Sequence, residues 1–195
     1  MKLKLLALAA LFFCFAGQAQ AQRGSVPNYD VPDAGFFYFA PEVLGFFPNS
    51  NHIKGSTFVA GRVGYQISPD LAAEIETGWV RFDMKDDLGR MNTEPLMANA
   101  RYGFMGADSP WDVFLMGGIG VAFNRLNTDV PGVSSSNTFA IQGGTGLEWR
   151  FNPSLSVVLD LRYYWNDPDI DYPGNVGSVR THSFGVGGGL CWSFR

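Results

Sequence analysis

The sequence predicts an all-β fold, a transmembrane eight-stranded antiparallel up-and-down β-barrel. Three observations predict it. Apolar and polar residues alternate with a period of two over recurring segments of about ten residues. The connections between those segments alternate between short and long. Aromatic residues gather at both ends of the apolar faces rather than along their middles.

The chain opens with the basic "MKLK", then the apolar "LLALAALFFCFAG", then the small-residue end "AQA" at 19–21. This is the layout of a secretory signal peptide over residues 1–21, cleaved after Ala21. The apolar run is too short to span a bilayer comfortably as a helix. Loss of Lys2 and Lys4 with the signal takes the formal net charge from −4 to −6, which disfavours nucleic acid as a partner. The remaining chain keeps only Cys191, so it forms no internal disulfide. No later apolar run is long enough for a membrane helix, so a membrane-embedded mature chain has to be a closed barrel.

Eight strand-like segments follow a short periplasmic lead-in at 22–34, and the barrel domain is expected over 35–195. They run near 35–45, 57–67, 71–82, 96–105, 112–124, 138–151, 155–166 and 183–194. The first is the least regular, because Pro41 cannot donate a ladder hydrogen bond. "SPD" (68–70), "GADSPW" (106–111) and "NPS" (152–154) read as tight turns. The segments 46–56, 83–95, 125–137 and 167–182 read as long polar loops. Short turns at one end and long loops at the other place the turns in the periplasm and the loops outside an outer membrane.

The segment "LSVVLDLRYYW" (155–165) sets Asp160 and Arg162 between aliphatic neighbours. The aromatics decide which face meets lipid. Tyr65, Tyr102, Trp149, Trp192 and Phe194 lie near the turn ends of apolar faces. Trp79, Tyr163 and Trp165 lie near the loop ends. Two belts around an apolar band match the two interfaces of a bilayer, whereas a soluble sandwich has no reason to collect aromatics at both rims. The charged residues of the strands therefore point inward: Glu42, Arg62, Glu74, Glu76, Arg101, Glu148, Arg150, Asp160 and Arg162. Charges in so narrow a lumen each need a partner. If the "SPD" turn pairs Ile67 with Leu71, Arg62 falls opposite Glu76. Inward glycines at 103, 118, 120, 144, 146, 185, 187 and 189 either make room for long side chains or line a water conduit. The first reading suits a barrel of this size better.

The segment "GGTGLEWRFNPSLSVVLDLRYYW" and the ending "HSFGVGGGLCWSF" resemble the OmpA/OmpX-like eight-stranded outer-membrane barrels. The resemblance covers the whole mature chain as a pattern. It implies contact with outer-membrane lipid and lipopolysaccharide, and a last strand read by the barrel-assembly machinery. It further implies a role in envelope integrity, in surface contact through the four loops, or as a small pore, and it carries over no catalytic residue. The family usually ends on the aromatic, whereas Arg195 follows Phe194 here.

A lipid-modifying enzyme is the remaining alternative. His182 adjoins Ser183, with Asp167, Asp169 and Asp171 nearby, but strand neighbours point to opposite faces. Besides His182 the mature chain has only His52. No Cys/His set suggests zinc, and the acidic loop lacks the spacing of a Ca²⁺ hand. The expectation is a non-enzyme with no cofactor and no metal.

Overall fold

In a computed structural model, residues 34–49, 53–84, 89–105, 109–127, 134–172, 175–178 and 181–194 are described. The expected signal peptide, nearly all of the lead-in, His52 and Arg195 lie outside that set, as do parts of all four long loops. Among the described residues eleven strands form: β1 (Phe37–Pro48), β2 (Ser56–Gln66), β3 (Leu71–Asp83), β4 (Arg90–Gly103), β5 (Trp111–Asn127), β6 (Ser134–Ser135), β7 (Thr138–Asn152), β8 (Leu155–Asn166), β9 (Asp169–Tyr172), β10 (Asn175–Ser178) and β11 (Ser183–Phe194). Eight of them close into an antiparallel barrel in the order β1-β11-β8-β7-β5-β4-β3-β2. Each neighbour in the ring is also the next barrel strand in the chain, and β11 closes on β1.

The other three strands pair as β10-β9-β6 in a separate small sheet. The sequence reading gives 125–137 and 167–182 only as long polar loops and does not foresee this sheet. Strands of two to four residues are too short to show a period. Strand bounds also shift. β4 begins at Arg90 and takes in Pro95, β5 begins at Trp111, and β1 runs on to Pro48.

Both internal prolines leave the same mark. The β1–β11 ladder passes from Phe39↔Trp192 to Glu42↔Gly189 without the two pairs around Pro41. The β3–β4 ladder likewise passes from Thr77↔Leu96 to Val80↔Thr93 around Pro95. Proline lacks the donor that a central ladder needs. Register resumes unchanged on the far side, so each costs one local interruption rather than a slip. At the turns, the Ile67 amide donates to Leu71 O at 2.8 Å. Asn152 Oδ1 accepts from the Ser154 amide at 2.8 Å, with a register shift between Arg150 and Asn152. The turn chemistry legible in "SPD" and "NPS" is thus what sets these two hairpins.

Alternation sorts the side chains. Val43, Val63, Ile75, Leu96, Leu115, Ile119, Leu159 and Val186 are exposed on the outer face. The aromatics stand outside at both rims, including Tyr65, Trp79, Tyr102, Trp149, Tyr163, Trp192 and Phe194. Trp165 is half-buried, its ring 5.7 Å from that of His182. Trp111, read from sequence as a turn residue, stacks on Trp149 with centroids 5.1 Å apart.

The inward glycines are close-approach sites. A Cβ on Gly118 would lie 1.8 Å from Asn99 Oδ1, and one on Gly187 would lie 2.1 Å from Val43 O and 2.5 Å from Leu44 Cα. At Gly187 the obstacle is neighbouring backbone, which cannot swing away. Gly187→Ala is therefore expected to destabilise the barrel by about 1–3 kcal/mol. Urea unfolding in detergent micelles checks this, and an unchanged midpoint would contradict it.

Candidate functional site

The lumen is filled in three tiers, and each comes from the inward parity of its strands. At the turn end lie Arg101 from β4, Asp112 from β5, and Glu148 and Arg150 from β7. Arg101 Nη2 bonds Glu148 and lies 3.6 Å from Asp112 Oδ2. Arg150 Nη2 also stands 3.6 Å from Asp112 Oδ2, and Ser156 Oγ donates to Glu148 Oε1 at 2.6 Å. The Arg101 guanidinium packs 4.2 Å over the Phe114 ring, a cation–π contact in a desolvated place. Asp112 accepts the amides of Phe104 and Met105, each at 3.1 Å, which fastens the strand to its turn. A cavity of about 50 Å³ opens among these groups, Tyr38 and Cys191. Asp112 is not among the lumen charges expected from sequence, although it shares the inward parity of Phe114 and Met116.

The middle tier brings together six of the nine charges expected in the lumen: Glu42, Arg62, Glu74, Glu76, Asp160 and Arg162, all almost fully buried. Arg162 Nη2 donates to Glu42 Oε1 at 2.8 Å and to Asp160 Oδ2 at 2.7 Å, while its Nη1 donates to both Glu76 oxygens at 2.9 Å. Arg62 Nη2 lies 3.0 Å from Glu42 Oε2 and 3.3 Å from Asp160 Oδ2, and its Nη1 lies 3.5 Å from Glu74 Oε2. Two guanidiniums and two carboxylates thus close a ring across β1, β2 and β8. Tyr38 donates to Glu74 Oε1 at 2.6 Å. Gln142 reaches Glu76 Oε2 at 3.2 Å and Asn99 Oδ1 at 2.8 Å. The expected register holds, with Arg62 opposite Glu76. Their pairing is corrected: Arg62 turns to Glu42, Glu74 and Asp160, and Glu76 takes Arg162 from across the lumen. A guanidinium on a three-carbon stem reaches beyond its ladder neighbour, so register alone does not choose its partner.

The loop-side tier is apolar, which the sequence reading misses. Leu44, Phe46, Phe58, Val80, Phe82, Met91 and Met97 are buried there. The Phe46 ring stacks on Phe58 at 5.0 Å and on Tyr164 at 5.9 Å. A polar layer sits with this tier. Thr93 Oγ1 donates to Asn124 Oδ1 at 2.8 Å, Asn166 Nδ2 donates to the same oxygen at 3.1 Å, and Thr138 bonds Asn166.

The candidate nucleophile and base do not meet. Ser183 is buried and donates to Thr181 O at 3.0 Å. His182, on the opposite face, lies near the rings of Tyr163 and Trp165, with Nε2 2.8 Å from Asp167 Oδ1 but outside hydrogen-bond geometry. Among the described residues no group of three or more His, Cys, Asp or Glu is placed to hold a metal ion; the side chain of Asp171 lies outside them.

A family model for an outer membrane protein β-barrel domain matches residues 6–190. The fold is similar to that of OprG from Pseudomonas aeruginosa, with a TM-score of 0.68 at 15% identity, covering 86% of this chain and 100% of that one. Neisserial surface protein A gives 0.61 at 18% identity, covering 81% and 97%. Outer membrane protein W of E. coli gives 0.54 at 14%, covering 84% and 100%. No curated protein matches the chain.

Proposed function

We propose, from the premise that this chain belongs to the outer-membrane protein β-barrel domain family, that it is a closed membrane anchor acting at the cell surface through its four long loops. It resides in the outer membrane, as that family does. One observation carries the functional reading: the lumen is packed from the ionic tier through the apolar tier to the loop end. A filled barrel of eight strands offers solutes no path, so its working surface is its exterior. The β10-β9-β6 sheet supports the same reading, since it gives two of the four loops a shape of their own. Catalysis is left out because His182 and Ser183 face apart. In this reading β11 is the strand presented to the assembly machinery.

The test uses proteoliposomes carrying the full chain or chains with 125–137 or 167–182 replaced by short turns. Each must keep heat-modifiable gel migration. Binding to one or more members of an immobilised panel of surface proteins and glycans is expected for the full chain and lost on trimming. Steady stepwise conductance of the full chain in planar bilayers would replace this reading with that of a narrow pore.

A further inference from the structure

Outside the lumen, charge is distributed unevenly. Among the described residues every exposed cation lies at the loop ends of β2 to β5: Lys54, Arg81, Arg90 and Arg125. Register sets these side by side. Arg81 pairs Asn92, which pairs Arg125, so two arginines flank one asparagine on a single row. One row higher Asp83 pairs Arg90, and the Lys54 amide donates to Asp83 O at 3.0 Å. Trp79 and Phe123, both exposed and outward, stand two residues below Arg81 and Arg125. At a rise of about 3.4 Å per residue, the arginine row begins about 7 Å along the strand beyond the loop-side aromatic belt, which at a tilt of about 40° is about 5 Å along the membrane normal. That belt marks the headgroup level, so the guanidiniums reach the outer edge of the outer leaflet.

The side chains are poised rather than committed. Arg81 Nε donates to Asn92 Oδ1 at 3.2 Å, and its guanidinium lies 5.1 Å over the Trp79 ring, which fixes its direction. Arg90 is 3.3 Å from Asp83 and Arg125 is 4.0 Å from Glu94, with the four side chains 45–73% exposed. Exposed ion pairs of this kind hold their members weakly, so a stronger anion can displace them. Guanidinium binds phosphate bidentately, which makes a phosphate group a better partner than a lone carboxylate at 4 Å. The opposite arc at this height presents Phe47, Tyr163, Trp165, Phe184 and His182 with Asp167, and no exposed cation among the described residues.

We propose that Arg81, Arg90 and Arg125 form a binding site for the phosphate groups of an outer-leaflet lipid, seated against one arc of the barrel with its acyl chains on β3 to β5. The site rests on the outer-membrane anchor reading and gives that anchor a preferred lipid-facing side. The occupant is a phosphorylated lipid rather than free phosphate, because the row stands directly above an apolar wall of Leu96, Ile119 and Val121.

The experiment titrates the detergent-solubilised chain with diphosphorylated lipid A, with dephosphorylated lipid A and with inorganic phosphate, in chelator, and reads retention by native mass spectrometry. Wild type is expected to retain the diphosphorylated lipid at a concentration at least tenfold lower than the dephosphorylated one, and to retain no inorganic phosphate. R81A/R90A/R125A is expected to lose that ratio, and R81K/R90K/R125K to keep part of it, since charge remains while the planar fork is lost. R125A alone, whose side chain is more exposed than that of Arg90, is expected to lower the ratio severalfold. A ratio that is the same in wild type and the alanine triple overturns the proposal, as does equal retention of both lipids by wild type. Retention of inorganic phosphate at matching concentrations overturns the lipid assignment. Heat-modifiable migration is scored in every arm. A folded alanine triple with an unchanged ratio sinks this site and leaves the anchor standing, whereas conductance or failed insertion of the wild type sinks the anchor.

Discussion

Arg162→Met is expected to lower the stability of the barrel by about 3–5 kcal/mol, the range for removing one partner from a buried ionic cluster. Arg162 is fully buried and touches three carboxylates, Glu42, Glu76 and Asp160. The methionine fills much of its volume, so the loss comes from charge and hydrogen bonding rather than from a cavity. Glu42, Glu74 and Asp160 then share Arg62, and Glu76 keeps only Gln142 and Asn99, in a place where water solvates these carboxylates poorly. Urea unfolding followed by gel migration of the folded band measures the change. A loss under about 1 kcal/mol would mean that the cluster is hydrated or slack, contrary to a buried pair's usual cost on breaking.

A double-mutant cycle then separates ladder neighbours from charge partners. Glu76→Gln should couple to Arg162→Met by more than about 1 kcal/mol, because both Glu76 oxygens accept from Arg162 at 2.9 Å. Its coupling to Arg62→Met should be smaller, although Arg62 and Glu76 are opposite one another in the sheet. Equal coupling in the two cycles would show that register, not reach, selects the partner.

That contrast marks where sequence reasoning stops. Period-two alternation in 155–166 and 183–194 gives β8 and β11 at their observed bounds, because side chains on successive residues must face different media. The Ile67–Leu71 hairpin follows from turn chemistry, and with it the β2–β3 register. Arg162 bonds residues on β1 and β3, yet β8 pairs only with β7 and β11, so no local pattern encodes those contacts. The apolar loop-side tier is illegible for another reason. In β1, Phe46 faces in while Phe47 faces out, so hydrophobicity does not distinguish lumen from lipid. Asp112 continues the inward parity of Phe114 and is legible to that extent, but it stands next to a turn, where alternation has barely begun. The arginine row on β3 to β5 appears only when two ladders are laid side by side.

Phe46→Ala tests the other seal of the lumen. Its ring is 1% exposed and stacks between Phe58 and Tyr164, so its removal is expected to cost about 3–5 kcal/mol through lost burial and the cavity left behind. The loss should be large in urea unfolding and absent in planar bilayers. Below the cavity, Arg62 and Arg162 still close the ring with Glu42 and Asp160, so opening the apolar tier alone gives no steady conductance. Combining Phe46→Ala with Arg162→Ala removes both seals, and open steps are expected only then, provided the doubly altered barrel still migrates as a folded band. A gel shift that vanishes in the double variant while each single variant retains it would put the two tiers in one cooperative unit. Conductance from Phe46→Ala alone would show that the ionic tier leaks, and the anchor reading would yield to a gated pore whose gate is the Phe46–Phe58–Tyr164 stack.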